Sequence, residues 1–114
     1  MPFSPKERDR ELFRTMSEAS GILDRHLMGM QKDDFLIDIK TQDAVAMRLQ
    51  QILESASKIS AEAKNDLKID WVSMIAMRHR VSHHYAAVDP KVVWQIVREL
   101  SEFKKLIEWA KKNV

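Results

Sequence analysis

The sequence contains no cysteine, only two glycines and three prolines, and no long apolar run. Without cysteine, neither disulfides nor thiolate chemistry can contribute, and a cytoplasmic protein is favoured. The scarcity of glycine and proline disfavours a β-rich fold, which needs frequent turns, and permits long helices. The charged N-terminal stretch, MPFSPKERDRELF, is unlike a signal peptide. We therefore expect a helical protein that is neither exported nor inserted in a membrane.

Length and charge restrict the possibilities further. The chain has 114 residues, of which 45% are hydrophobic, so it is long enough for one hydrophobic core and too short for two. We expect residues 1–114 to form a single domain. A net charge of +2 results from 19 basic and 17 acidic residues. Because no block of basic residues is present, any contact with nucleic acid has to be local.

Apolar residues at intervals of three and four predict four amphipathic helices. The first runs from Pro5 to about Met30, the second from near Thr41 to Ser60, the third from its cap at Asp70 through Arg78, and the fourth from Pro90 to Lys112. A brief helical turn is expected after Ala61. Short connections between such helices imply an all-α, four-helix up-and-down bundle. The predicted inward positions are Leu12, Met16, Ala19, Leu23, Leu27, Met30, Val45, Leu49, Ile52, Ala56, Ile59, Val93, Ile96, Val97, Leu100, Phe103, Ile107 and Ala110.

The second predicted helix also has a polar face, roughly opposite its apolar stripe. That face consists of Asp43, Met47, Gln50, Glu54 and Ser57. It has two interpretations, a solvated surface or a partly polar wall of a dimer interface or active site.

The densest group of chemically active side chains is the run RHRVSHHY, from Arg78 to Tyr85. Helical geometry places Arg78 on the face of Trp71 and Ile75, so its guanidinium points at least partly inward and needs partners. One interpretation is a structural salt bridge to Glu54 or Asp43. The histidines favour another, because histidine exchanges protons near neutral pH and a neighbouring arginine can hold a phosphate.

Histidine and arginine together suit cleavage of a phosphodiester without a metal ion. A ribose 2′-hydroxyl would be deprotonated and would attack the neighbouring phosphorus, while arginine stabilised the phosphoryl oxygens. In a continuous helix, however, Arg78 and His83 would lie about 140° apart. Either the helix breaks before His83, or a second copy of the chain completes the site.

The spacing from Arg78 to His83 to Tyr85 resembles the Arg, four-to-six residues, His, any residue, Tyr motif of HepT-like proteins. Two departures are His79, where the family often has Asn, and His84, where it often has Gly. Three further blocks are also similar to the family and together cover most of the chain: TQDAVAMRLQQILESASK from Thr41, IDWVSMIAMR from Ile69, and VDPKVVWQIV from Val88.

The resemblance implies a dimeric four-helix bundle of the HEPN superfamily and a metal-independent ribonuclease toxin without a cofactor. Arg78 and His83 would be catalytic, in a composite cleft between two copies, with His79 and Glu54 as supporting residues. The RNA substrate would be tRNA or mRNA. The implied partner is a minimal nucleotidyltransferase antitoxin, which would transfer AMP from ATP to Tyr85 and so place negative charge beside the cleft.

Two other functions remain open at this point. His79 and His83, four residues apart with His84 adjacent, have a spacing that zinc can use, although no third or fourth ligand is evident. Alternatively, the chain is a non-catalytic HEPN module that only binds a nucleotidyltransferase. For Trp94 and Trp109 we predict roles in packing or interfaces rather than base stacking, and for His26 an inward, hydrogen-bonded position.

Overall fold

The computed structural model describes residues 5–67, residue 74, residues 76–79 and residues 89–113, and these are helical apart from short connections and caps. No strand occurs within those ranges, and the predicted all-α class is confirmed. The labelled helices are α1 (Pro5–Leu27), α2 (Lys32–Leu36), α3 (Ile39–Ser57), α4 (Ala61–Asp66), α5 (Pro90–Glu99) and α6 (Ser101–Asn113). Residues 76–79 are also helical and belong to the predicted third helix.

The apolar stripes read from the sequence meet in one cluster of buried side chains. All the predicted inward positions of α3, α5 and α6 are buried, and so is Leu100 between the last two helices. Leu12, Leu27 and Met30 are only partly buried and pack against the edge of this cluster. Phe13, Phe35 and Leu53 were not among the predicted positions, yet each is completely enclosed.

The boundaries of α1 and α3 differ from the predicted ones for local reasons. The first helix ends at Leu27 rather than near Met30, because Gly29 adopts a φ of +78°, the left-handed conformation that terminates helices. The second predicted helix begins at Ile39, because the carboxylate of Asp38 accepts a hydrogen bond from the backbone N–H of Thr41 at 3.0 Å. This bond and one from the Thr41 hydroxyl hold the pKa of Asp38 below its usual value.

Two other features were not predicted. The polar segment after Met30 contains the short helix α2, whose Phe35 is buried and packs against Trp94 with ring centroids 5.4 Å apart and ring planes tilted by 42°. The predicted fourth helix is two helices, because the regular structure stops at Glu99 and resumes at Ser101. Serine is a weak helix former whose hydroxyl competes for backbone hydrogen bonds, which suits it to the junction.

A buried carboxylate joins α1 to the connection between α3 and α4. Asp9 is only 4% exposed, and its two oxygens accept hydrogen bonds from the backbone N–H of Ser60 at 2.9 Å and from the Ser60 hydroxyl at 2.6 Å. The same hydroxyl accepts from the N–H of Ala63 at 3.2 Å and so caps α4. Since Asp9 lies near the start of α1 and Ser60 follows the end of α3, the two helices are antiparallel.

A polar seam joins α1 to α6. The hydroxyl of Ser17 donates to Glu108 and accepts from the ammonium of Lys111 at 3.2 Å. Lys111 also pairs with Glu108 at 3.3 Å, and Lys104 pairs with Asp24. Because higher numbers in α1 match lower numbers in α6, these helices are antiparallel as well. The order is that of an up-and-down bundle with α1 between α3 and α6.

Replacing Asp9 with alanine is expected to lower the free energy of unfolding by about 2 to 3 kcal/mol, since two charge-assisted hydrogen bonds are lost from a buried site. Urea unfolding followed by circular dichroism at a fixed protein concentration measures this change. The matched control is Glu11→Ala, also in α1, whose exposed carboxylate pairs with Arg14 at 3.1 Å. That variant should lose less than about 1 kcal/mol, and equal losses in both would contradict the structural role of Asp9.

The seam between α1 and α6 predicts a dependence on pH. The Ser17 hydroxyl and then the ammonium of Lys111 hold the pKa of Glu108 below its usual value. A carboxylate with a lowered pKa stabilises the fold above its unfolded pKa, and that contribution is lost as the pH falls through the lowered value. Glu108→Gln should therefore lower Tm at pH 7. At pH values far below about 4, where the carboxylate no longer contributes, the substitution should leave Tm unchanged. Thermal unfolding measured between about pH 2 and pH 7 tests this prediction. Glu18→Gln, which replaces another exposed glutamate, is the control, and the same pH-dependent loss of Tm in that variant would contradict the role of Glu108.

Candidate active site

The described part of the third predicted helix places Arg78 at the edge of the core. Met74 is buried in the hydrophobic cluster, and Met77 packs against it. Arg78 follows directly and is half-buried, with its Nε atom enclosed, whereas His79 is exposed. Its helical position predicted this partly inward orientation of Arg78. A guanidinium in such a place is partly shielded from water, so its attraction for a phosphate is stronger than at an open surface.

The polar face of α3 changes character along its length. Asp43 and Met47 are exposed, and Met47 has 58% of its surface accessible. Farther along, Gln50, Glu54 and Ser57 are half-buried, although they lie opposite the apolar stripe. The carboxylate of Glu54 accepts a hydrogen bond from the Gln50 side-chain amide at 3.4 Å. The C-terminal half of this face is therefore more enclosed than a plainly solvated face.

The remaining members of the motif, His83 and Tyr85, lie outside the described residues, as do Arg80 and His84. The roles of Arg78, His83 and Tyr85, and the support from His79 and Glu54, therefore stay predictions. In the described ranges, no three histidine or acidic side chains group closely enough to hold a metal ion. The zinc alternative needs His83, so this finding does not decide it.

One prediction about an isolated side chain needs correction. His26 is exposed rather than inward, because the inward face of α1 at this level is occupied by Leu23 and Leu27. Trp94 packs against Phe35 as predicted, whereas Trp109 is 54% exposed on α6, and its predicted role in packing or an interface stays a prediction. The sequence already indicated that Trp109 is exposed. Lys105 and Lys112 lie four residues before and three residues after it, on the face of the helix away from the apolar stripe.

Comparison with known proteins decides the family. A family model described as Ribonuclease HepT-like matches residues 16–110, a range that includes the whole motif from Arg78 to Tyr85. The chain belongs to the HepT-like ribonuclease family. Its bundle of helices is accordingly the HEPN-type fold, and the resemblance noted from the motif is confirmed.

Two archaeal proteins illustrate the similarity. A protein of Thermococcus cleftensis, named as a probable ribonuclease HepT, is 32% identical over 95 residues, which cover 82% of this chain and 86% of the relative. A protein of Methanocaldococcus jannaschii, whose name proposes an RNase, is 31% identical over 93 residues, covering 74% of this chain and 77% of the relative. No solved structure matches this HepT-like chain significantly.

One further structural finding concerns membranes. In the parts of the chain that the structure describes, no helix combines the length and the apolar character needed to cross a bilayer.

Proposed function

We propose that this HepT-like protein is the toxin of a toxin–antitoxin pair, an endoribonuclease that cuts cellular tRNA or mRNA without a metal ion. The observation that supports the proposal is the family match across the intact run from Arg78 to Tyr85. Ribonuclease is also the activity in the names of both relatives. The half-buried position of Arg78 beside the core agrees with a guanidinium that binds a phosphate.

The chemistry follows from the two catalytic side chains of the proposal. Neutral His83 accepts the proton of a ribose 2′-hydroxyl, and the oxygen attacks the adjacent phosphorus. The bond from phosphorus to the 5′-oxygen of the next nucleotide breaks, that oxygen takes up a proton from water, and His83 then releases the proton that it accepted to the solvent. Arg78 stabilises the negative charge that gathers on the phosphoryl oxygens in the transition state. The products are a 2′,3′-cyclic phosphate and a 5′-hydroxyl, and no metal ion is needed to balance the reaction.

The proposed active site is shared between two copies of the chain. Continuous helical geometry would separate Arg78 from His83 by about 140°, and a cleft at a two-fold axis brings two copies of each residue together. The more enclosed half of the polar face of α3, with Gln50 and Glu54, suits a wall of such a cleft. Glu54 would support Arg78 there by opposing its charge, and His79 would support it as a polar neighbour.

The proposed regulator is a minimal nucleotidyltransferase antitoxin encoded as a partner. It would transfer AMP from ATP to the hydroxyl of Tyr85 and release pyrophosphate. Because Tyr85 is two residues from His83, the added phosphate would place negative charge beside the cleft and repel the RNA backbone. Inhibition would therefore be electrostatic and steric, without any change to the catalytic side chains.

Cleavage of total RNA by the purified protein in EDTA tests the activity. Discrete RNAs should disappear with the wild type, while Arg78→Ala and His83→Ala should each lower the rate at least about 100-fold, the usual effect of losing an acid–base or charge-stabilising group. Arg80→Ala is the matched control, since the helical period predicts that Arg80 lies roughly opposite Arg78, and this variant should stay within a few-fold of the wild type. Expressed alone in cells, the wild type and Arg80→Ala should arrest growth, and the two inactive variants should not.

The intact mass of each preparation must show Tyr85 without AMP for this test to be valid. If the unmodified wild type neither cuts RNA nor arrests growth, the ribonuclease proposal is contradicted. The alternative, a HEPN module that only binds a nucleotidyltransferase, would then be favoured. Cleavage that disappears in EDTA and returns with zinc would contradict metal independence and favour the site at His79 and His83. Co-expression with the nucleotidyltransferase encoded nearest the gene should restore growth and add the mass of AMP.

A further inference from the structure

The outward side of α3 has a large apolar side chain at its middle and charged side chains on either side. Met47 is 58% exposed, although the opposite face of the helix is buried in the core. At 100° per residue, it belongs to an outward strip about 21 Å long and about 80° wide. This α3 strip consists of Lys40, Asp43, Met47, Gln50 and Glu54. A single exposed methionine is ordinary, so the charges around it decide whether the strip has a partner.

The charges of the α3 strip are not neutralised by the part of the chain that the structure describes. Lys40 and Asp43 are both exposed, and neither has an oppositely charged atom within 4.0 Å among those residues. Lys40 lowers the pKa of Asp38 only slightly beside the bonds from Thr41. At the other end of the strip, the half-buried carboxylate of Glu54 accepts from the neutral amide of Gln50 at 3.4 Å. The strip therefore offers a cation at one end and a carboxylate at the other.

A second copy of the chain would complement this order of charges. If two α3 helices pack antiparallel about a two-fold axis at Met47, residues at equal distances before and after Met47 face each other. Lys40 and Glu54 are both seven residues from Met47, so each faces the other across the axis. Asp43, four residues before Met47, faces the amide of Gln50, three residues after it. The apolar side chain of Met47 meets its own copy at the axis.

Other arrangements of the same strip match less well. Parallel pairing about a two-fold axis would bring each charged residue against its own copy, and so would set like charges together. If the antiparallel axis moved one turn towards Glu54, Met47 would cover that carboxylate without supplying a hydrogen bond. An RNA partner is disfavoured as well, because one lysine and two carboxylates give the strip a net negative charge.

We propose that two copies of this protein pair antiparallel through the α3 strip, with Met47 at the two-fold axis. The inference rests on the proposed function and specifies the surface that forms the composite cleft. Each copy then contributes Lys40 beside Glu54 of the other copy. The carboxylate proposed to support Arg78 is thereby completed by a cation that a single copy does not bring to it, since Lys40 and Glu54 of one chain lie about 21 Å apart along α3.

Cysteine cross-linking tests the position of the axis, because the chain contains no cysteine of its own. Helix axes 8–10 Å apart would bring the two copies of residue 47 to Cα atoms within about 6 Å, a distance that a disulfide spans. Met47→Cys should therefore form a disulfide-linked dimer under mild oxidation. Met28→Cys is the matched control, since Met28 is 77% exposed but lies outside the strip, and it should react at least about tenfold more slowly.

The direction of pairing is tested by two further single cysteines. Lys40→Cys and Asp43→Cys should each fail to cross-link with their own copies, because the antiparallel arrangement separates them. Parallel pairing would place each beside its own copy and would cross-link both. A mixture of Asp43→Cys and Gln50→Cys proteins should form the mixed disulfide, since these positions face each other.

Charge reversal tests the pairing of Lys40 with Glu54. Lys40→Glu and Glu54→Lys should each raise the dissociation constant of the dimer about tenfold in sedimentation, because each change affects two symmetric pairs. The double variant should return the constant to within about threefold of the wild type, since the charges are then exchanged. Lys32→Glu, on the exposed surface of α2, is the control and should stay within about twofold.

Circular dichroism establishes that each variant is folded. If Glu54→Lys does not fold, Glu54→Gln takes its place, and Lys40→Glu should then weaken the dimer less in that background than in the wild type.

Several results would overturn the inference. One is equal cross-linking of Met28→Cys and Met47→Cys, and another is cross-linking of Lys40→Cys with its own copy. Failure of both the double variant and the Glu54→Gln background to show coupling would separate Lys40 from Glu54. A wild type that cleaves RNA as a monomer would leave the ribonuclease intact and remove the interface. Because cross-linking and sedimentation do not use RNA, they still decide the interface if the wild type does not cleave and the proposed function fails.

Discussion

The arrangement of the helices depends on the buried carboxylate of Asp9. Its hydrogen bonds to Ser60 fix the start of α1 against the end of α3, and the same serine caps α4. A buried carboxylate is costly unless it is satisfied, so this contact strongly selects one register between the two helices. With α3 fixed on one side and the seam of Ser17, Glu108 and Lys111 on the other, α1 becomes the element against which both α3 and α6 pack.

This frame explains why Arg78 lies where it does. α4 starts at the cap that Ser60 provides, Met74 belongs to the buried core, and Met77 packs against it. Arg78 follows these two anchored side chains and is held half-buried at the edge of the hydrophobic cluster. Because the residues that precede Arg78 are packed in the core, its guanidinium is pre-organised. Binding a phosphate there costs the side chain little additional conformational freedom. In the proposed mechanism, Arg78 is therefore a rigid part of the site.

The sequence predicted those features that periodicity controls. The stripes of α3, α5 and α6 were correct because burial repeats with the helical turn. It missed features that depend on one residue or on tertiary contacts, such as Phe35 in a polar segment, the junction at Leu100 and the exposure of His26. Within the candidate site, the partly inward position of Arg78 was predicted from helical geometry. Family membership was predicted from the motif between Arg78 and Tyr85 together with the three similar sequence blocks. The pairing with His83 and the single-domain organisation stay predictions, since both concern contacts that periodicity does not specify.

The central claim is that the ribose of the substrate supplies the nucleophile and no metal takes part. The most direct measurement uses one RNA that the protein cuts, prepared with and without a single 2′-deoxy substitution at the cleaved nucleotide, in EDTA. The account predicts that the natural RNA yields a 2′,3′-cyclic phosphate and that the substituted RNA stays intact at that position, because the attacking oxygen is missing. Cleavage of the substituted RNA at the same bond would contradict it and require water, rather than the 2′-hydroxyl, as the nucleophile.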